Sequence, residues 1–381
     1  MTIRGTEGRD LIMGTPGRDV ITAGGGHDVV RGLDGDDLIC GGAGRDRLLG
    51  GRGDDTLHGL SDADILKGGR GTDSLFGYAW YGAGENPDVA VDQLVGGRGG
   101  DGINFSYCPE EPFLCPIPDG GDDSSRGGRG DDSFGVCNDG QTSVSGGPGK
   151  DMAVFCSSVH ADLSTQDARF EDGATVTLVG FEDLVGAAWA SDTLIGDDGP
   201  NSILPGYDGQ TDRGENDTMS GLGGDDSFGF GGSDSISGGD GDDRFTPWSA
   251  TDGKTAVILH GDAGNDYFSL CWGGSSNPDD GWHYQLFGDE GTDTIEFGFG
   301  ASVNLAIGEA TCTDDTATVM GIERLVGSLH DRDVFIGSTS DDVLVGRGGD
   351  DYLDGREGHD LLRGGDGTDS CQNGERVSGC E

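Results

Sequence analysis

The sequence predicts an all-β fold: a solenoid whose short parallel strands wind into a flattened roll, with loops inserted between its coils. Three observations lead to it. From Gly5 the chain divides without a gap into eight blocks of nine: GTEGRDLIM, GTPGRDVIT, AGGGHDVVR, GLDGDDLIC, GGAGRDRLL, GGRGDDTLH, GLSDADILK and GGRGTDSLF. The sixth place of each block is aspartate and the eighth is Ile, Val or Leu. Glycine supplies 78 of the 381 residues without recurring at every third position, which excludes a collagen helix and leaves a fixed-period repeat.

Each part of the block has a physical role. Places one to five are glycine-rich, as a turn needing positive φ and closely packed backbones requires. Places seven to nine read as a very short strand pointing outward, inward, outward. The inward residues of the first array are Ile12, Ile21, Val30, Ile39, Leu48, Leu57, Leu66 and Leu75. Two blocks, eighteen residues, then complete one coil, and stacked coils align these side chains in a thin inner ladder.

The charge balance selects the partner. With 71 acidic and 23 basic side chains the formal charge is −48, which repels nucleic acid and anionic membrane surfaces. No nucleic-acid partner is expected, and no apolar stretch is long enough to span a membrane. Only 33% of residues are apolar, so the ladder is too thin to offset the entropy of ordering so much glycine. Stacking also brings aspartates of successive coils together, where unscreened they repel. A hard dication answers both problems, because calcium accepts roughly six or more oxygens from carboxylates and backbone carbonyls in a flexible geometry.

These blocks match GGxGxDxUx and resemble the hemolysin-type calcium-binding nonapeptide of RTX proteins. The resemblance implies a right-handed parallel β-roll that orders as calcium binds between successive turns, with the sixth-place aspartate completing the ion's shell. In the first array these are Asp10, Asp19, Asp28, Asp37, Asp46, Asp55, Asp64 and Asp73. The same place recurs at Asp101, Asp132, Asp151, Asp226, Asp243, Asp266 and Asp293, and near the end at Asp342, Asp351, Asp360 and Asp369. Asp192, Asp217, Asp234 and Asp333, in less regular surroundings, complete the candidate metal ligands.

The register organises the chain into a regular array (1–76), an irregular stretch with insertions (77–336) and a terminal array closed by a disulfide cap (337–381), read as one continuous body. Two segments of the middle stretch, 161–204 and 303–344, are related: Gly180 aligns with Gly321, Glu182 with Glu323, Gly186 with Gly327, Asp192 with Asp333 and Gly196 with Gly337. They resemble segments that interrupt RTX arrays as wider coils. Residues 77–91, 104–126, 246–260 and 270–287 hold most of the prolines and tryptophans and are expected to bulge as loops or hairpins.

Of the nine cysteines, Cys371 and Cys380 lie in GTDSCQNGERVSGCE, which resembles the closing segment of secreted RTX-type proteins of Gram-positive bacteria. A disulfide there would pin the last coil, where a solenoid needs a cap. Cys137 and Cys156 stand nineteen apart, close to one coil, and are expected to stack within bonding distance. Cys108 with Cys115 and Cys271 with Cys312 are further candidate pairs, leaving Cys40 over. No CxxC supports a zinc site. Calcium supply and an oxidising environment both point to secretion, although MTIRGTEG offers no apolar export segment, so a removed signal or a carboxyl-terminal route is expected.

Other motifs dissolve into the repeat. Arg52-Gly53-Asp54 and Arg129-Gly130-Asp131 spell an adhesion tripeptide, but both fill places three to five of a block, where the turn demands the glycine. In GGPGKDMAV, Asp151 follows Lys150 where a phosphate loop needs Ser or Thr. HExxH and GxSxG are absent from the sequence, and adjacent acids such as Asp54 and Asp55 point to opposite faces of a strand, unlike a glycosidase pair. The expected function is therefore a secreted, extracellular, monomeric calcium-binding roll that is not an enzyme. Two alternatives stand beside it. An adhesin or toxin-like effector would bind a carbohydrate or protein through the central insertions, with Tyr78, Trp80, Tyr81, Tyr267, Phe268, Trp272, Trp282, His283, Tyr284 and Phe287 as candidate contacts or simple filling. A polysaccharide-active enzyme on a β-solenoid comes third.

Overall fold

The computed structural model describes residues 1–78, 92–104, 124–137, 143–188, 190–206, 216–247, 256–271, 283–312 and 315–380. Trp80, Tyr81, Trp272, Trp282, Cys108, Cys115 and the side chain of Tyr78 lie outside that set. The chain folds as two compact units, Met1–Ala187 and Ala188–Glu381. Each is an all-β parallel roll.

In the first unit, successive strands alternate between two parallel sheets. One sheet pairs Val20–Gly25, Leu38–Ala43 and Thr56–Ser61 with Ile21, Ile39 and Leu57 in register. The other pairs Val29–Asp34, Arg47–Arg52 and Ile65–Arg70 with Val30, Leu48 and Leu66 in register. Partners differ by eighteen residues, the two-block coil read from the sequence. The eighth-place side chains from Ile21 to Leu75 are all fully buried, while Leu11 and Met13 on either side of Ile12 are exposed. The apolar core of this array is that ladder.

The strands are longer than the three residues expected. Val29–Asp34 runs through places one to three of the next block, and Leu33 pairs with Gly51 one coil on. The backbones lie so close there that a Cβ on Gly51, whose φ is +136°, would press into the carbonyl of Leu33. Glycine at place two thus extends the sheet as well as turning the chain.

In the second unit part of the inner ladder is aromatic. Phe228, Phe245 and Phe268 pair in register and stack nearly parallel, with centroids 5.2 and 4.6 Å apart. All three are buried, so Phe268 fills the coil rather than facing a partner. Tyr284 is buried as well, against the edge of Phe230. Phe245 has rings on both sides, and Phe245→Ala should therefore cost about 3–5 kcal/mol, read as a lower unfolding midpoint in calcium; a loss below about 1 kcal/mol would contradict a load-sharing stack.

The two related segments, expected as wider parallel coils, contain antiparallel meanders. Val159–Asp162, Asp167–Phe170 and Thr175–Val179 form one, and Ala301–Asn304, Glu309–Cys312 and Asp315–Met320 form the other. Each adds a returning strand between two strands of the roll. In the first, Gln166 and Gly173 supply the left-handed residues, φ 58° and 91°, that reverse the chain at both corners. Cys137 bonds Cys156, Cys271 bonds Cys312 and Cys371 bonds Cys380, and Cys40 is a free thiol.

Candidate metal centre

The sixth-place aspartate leaves the turn just before its strand begins, so its side chain points inward while its neighbour at place five faces solvent. Asp55 is 1% exposed, whereas Asp54 lies on the surface. Every other predicted ligand is buried too, except Asp10 in the first coil, whose carboxylate accepts from the Thr6 amide at 2.6 Å.

The buried carboxylates form continuous rows. In one, each backbone N–H donates to the carboxylate of the next coil: Asp19 to Asp37, Asp37 to Asp55, Asp55 to Asp73, Asp73 to Asp101, Asp101 to Asp132 and Asp132 to Asp151, all at 2.7–2.9 Å. On the other side of the same unit, Asp10, Asp28, Asp46 and Asp64 do the same. The second unit repeats the device from Asp226 through Asp243 and Asp266 to Asp293. Shorter runs link Asp192 to Asp217 and Asp234, Asp333 to Asp351 and Asp369, and Asp342 to Asp360. All 23 predicted aspartates therefore sit in such rows.

One oxygen of each accepting carboxylate is used in this way. The other, in Asp37, Asp46, Asp55, Asp73, Asp243 and Asp266 among others, is buried without any hydrogen-bond partner. It points at the first glycine of its own block. The place a Cβ of residue 41 would take is 2.5 Å from Oδ2 of Asp46 and 2.8 Å from the carbonyl oxygen of Gly59, one coil further on. At Gly238 the same place lies against Oδ2 of Asp243 and the carbonyl of Gly261 in the next coil. A carboxylate and a carbonyl from successive coils thus converge where only glycine leaves room.

Burying so many carboxylates in a column raises their affinity for protons. Burial lifts Asp55 and Asp132 to about 7, with the charges of adjacent row members adding to it and the backbone hydrogen bond opposing it. Burial likewise raises Asp266 to about 7 and Asp243 to about 8. An orphaned, buried, anionic oxygen must gain a proton or a cation. The donor set is all oxygen, and the hard dication it suits is calcium.

The rows also contain residues that the nine-residue period missed. Asp92 accepts from Asp64 at 2.7 Å, but fifteen positions separate it from its glycine, Gly77, instead of the usual five. Asn201 occupies a row position and donates its N–H to Asp226 at 2.7 Å. Glu182, Glu323 and Glu375 accept from Asp151, Asp293 and Asp360 at 2.8, 3.0 and 2.6 Å. In Gly180-Phe181-Glu182 and Gly321-Ile322-Glu323 the turn is three residues shorter than in a full block, and the extra methylene of glutamate spans the gap. Their alignment in the two related segments was the available signal.

Outside the rows, His260, Asp262 and Asp289 bring ligand atoms within 4.8 Å of one another, with the imidazole stacked on Phe287. The period gave no hint of this group.

The family model for the RTX calcium-binding nonapeptide repeat matches residues 4–39, 41–75, 228–246 and 333–371, four copies spread over both units. The chain carries RTX calcium-binding repeats. No curated protein matches it. The matched RTX segments contain the strict blocks of both ends and the Phe228–Phe245 coil, whereas the meanders and insertions lie between them.

Proposed function

We propose that calcium ions fill the spaces between successive turns, ligated by the unpaired oxygens of the aspartate rows and by glycine carbonyls, and that this binding folds the chain outside the cell. The observation that carries the reading is the column of buried carboxylates in which Asp37, Asp55, Asp73, Asp243 and Asp266 each have one oxygen bound to the neighbouring coil and one left over. An unfolded chain has no such column, so binding free energy becomes folding free energy. The protein acts in this reading as a calcium-gated scaffold with no reaction of its own. Three disulfides support secretion into an oxidising medium.

The register is tested by two neighbouring substitutions. Asp55→Ala removes a buried row member and should lower calcium affinity or stoichiometry in a titration, with the folding midpoint moving to about tenfold more calcium. Asp54→Ala, on the exposed side of the same turn, should leave both nearly unchanged. The reverse order would refute the assignment of the rows.

A further inference from the structure

A basic face stands out against the acidity of the rest of the chain. Arg52, Arg70, Arg98 and Arg129 occupy the third place of four successive coils and pair in register, Arg52 with Arg70, Arg70 with Arg98 and Arg98 with Arg129. All four are exposed. A second register column on the same sheet runs Arg31, Leu49, Lys67, Val95 and Arg126, and its three basic members are also exposed. Arg31, Arg52, Arg70 and Arg98 share one open groove of about 970 Å³ with Leu33, Leu49, four glycines and a single acid, Asp34.

Like charges directly opposite on neighbouring strands destabilise a sheet. The nearest acids do not relieve them: among the described residues no ion pair joins any of the four arginines. Asp34 heads the arginine column. Asp36, Asp54 and Asp131, two places beyond, each accept through one oxygen from the amides of Asp54, Thr72 and Lys150 in the next coil, and none of them forms an ion pair with the four arginines. Four exposed arginines thus stand in register on neighbouring strands, in a chain with only 23 basic residues.

We propose that this face is a binding site for an extended anionic polysaccharide lying along the coil axis, one carboxylate or sulfate per arginine. The strand spacing sets the interval at about 4.8 Å. Extended chains of acidic sugars present one charge per ring at a comparable repeat, and guanidinium forks bind carboxylate and sulfate through paired hydrogen bonds. Duplex nucleic acid, with a charge about every 3.4 Å along each strand, does not keep this register, and its field is opposed by the rest of the protein. The four glycines leave the sugar rings room to approach the sheet. The site needs the folded coils but uses no carboxylate of the aspartate rows.

The test uses the full chain in calcium, with a short polyuronate, a short sulfated glycan, a neutral glucan and a DNA duplex as probes, followed by titration at rising salt. Binding of one or both acidic glycans, weakening with salt, and none to the neutral glucan is expected; which acidic glycan binds more tightly identifies the anion. The combined variant R52Q/R70Q/R98Q/R129Q should lose about a hundredfold in affinity, while its circular dichroism and calcium titration stay as in the parent. Should that variant fold poorly, Arg70→Gln alone should still cost about threefold to tenfold. Four lysines in place of the arginines should bind more weakly than the parent, because the charge is kept and the fork is lost. Failure of the parent to bind either acidic glycan, equal binding by the glutamine variant, or tighter binding of DNA would each overturn the assignment. A defect in the calcium response of the parent itself would instead count against the folding reading and leaves the glycan result separately legible.

Discussion

Chelating calcium at about pH 8 should abolish most of the β signal in circular dichroism, and restoring millimolar calcium should bring it back. The expectation follows from the contents of the interior. The first unit's regular array buries one aliphatic residue per block, from Ile21 to Leu75, beside one aspartate per block, from Asp19 to Asp73. At this pH the carboxylates lose the protons they hold at lower pH. Adjacent charges in a low-dielectric column then oppose folding by more than so thin a ladder supplies. The effect should be cooperative along each row, because every aspartate is hydrogen-bonded to the next coil and an ion between coils touches both. Equal β content with chelator and with calcium would refute the switch.

Acid should substitute for calcium in part. Burial raises Asp46, Asp73, Asp226, Asp293 and Asp351 to about 6, Asp55 and Asp266 to about 7 and Asp243 to about 8, against an ordinary value of 3.8. The folded calcium-free chain therefore binds more protons than the unfolded one between pH 3.8 and about 8. Stability without calcium is highest at the acid end of that window and falls as pH rises through the folded values. In chelator the β signal should be larger at about pH 5 than at about pH 8. Calcium affinity should run the opposite way, strengthening as pH rises, with protons released on binding in proportion to the row members still protonated. A calcium-free chain more stable at pH 8 than at pH 5 would show that the carboxylates are not held in this environment.

Much of this was legible in the sequence because it is periodic. The eighteen-residue coil, the inner ladder and the inward aspartates follow from counting places, and the observed register Ile21, Ile39, Leu57 repeats that count. The Cys137–Cys156 bond followed from a spacing of nearly one coil. The rest is hidden where the period breaks. Asp92 is separated from Gly77 by an insertion, and Glu182 and Glu375 end rows where the turn is short, so neither insertion nor shortened turn preserves the count. The meander of Asp167–Phe170 is invisible to a nine-residue ruler, because a reversing strand answers to its corners and its two neighbours. The arginine column was in view throughout, twice within an adhesion tripeptide. Its meaning lies across coils, in the pairing of Arg52 with Arg70 and of Arg98 with Arg129.

The hydrogen bonds of the aspartate rows run in one direction only. The earlier coil always lends the N–H and the later coil always lends the oxygen, from Asp19 and Asp37 to Asp342 and Asp360. Each roll is therefore polar, like a stack of hooks that all face the same way, and its two ends are chemically unlike. Stripping coils from the carboxyl-terminal side takes the carboxylate acceptors away from the row amides. Stripping coils from the amino-terminal side leaves the row amides paired and instead removes the aspartate carbonyls that accept from the following strand, Asp19 from Leu38 and Asp37 from Thr56. The glutamates at Glu182 and Glu375, with their longer reach, stand where a row would otherwise end on such an amide.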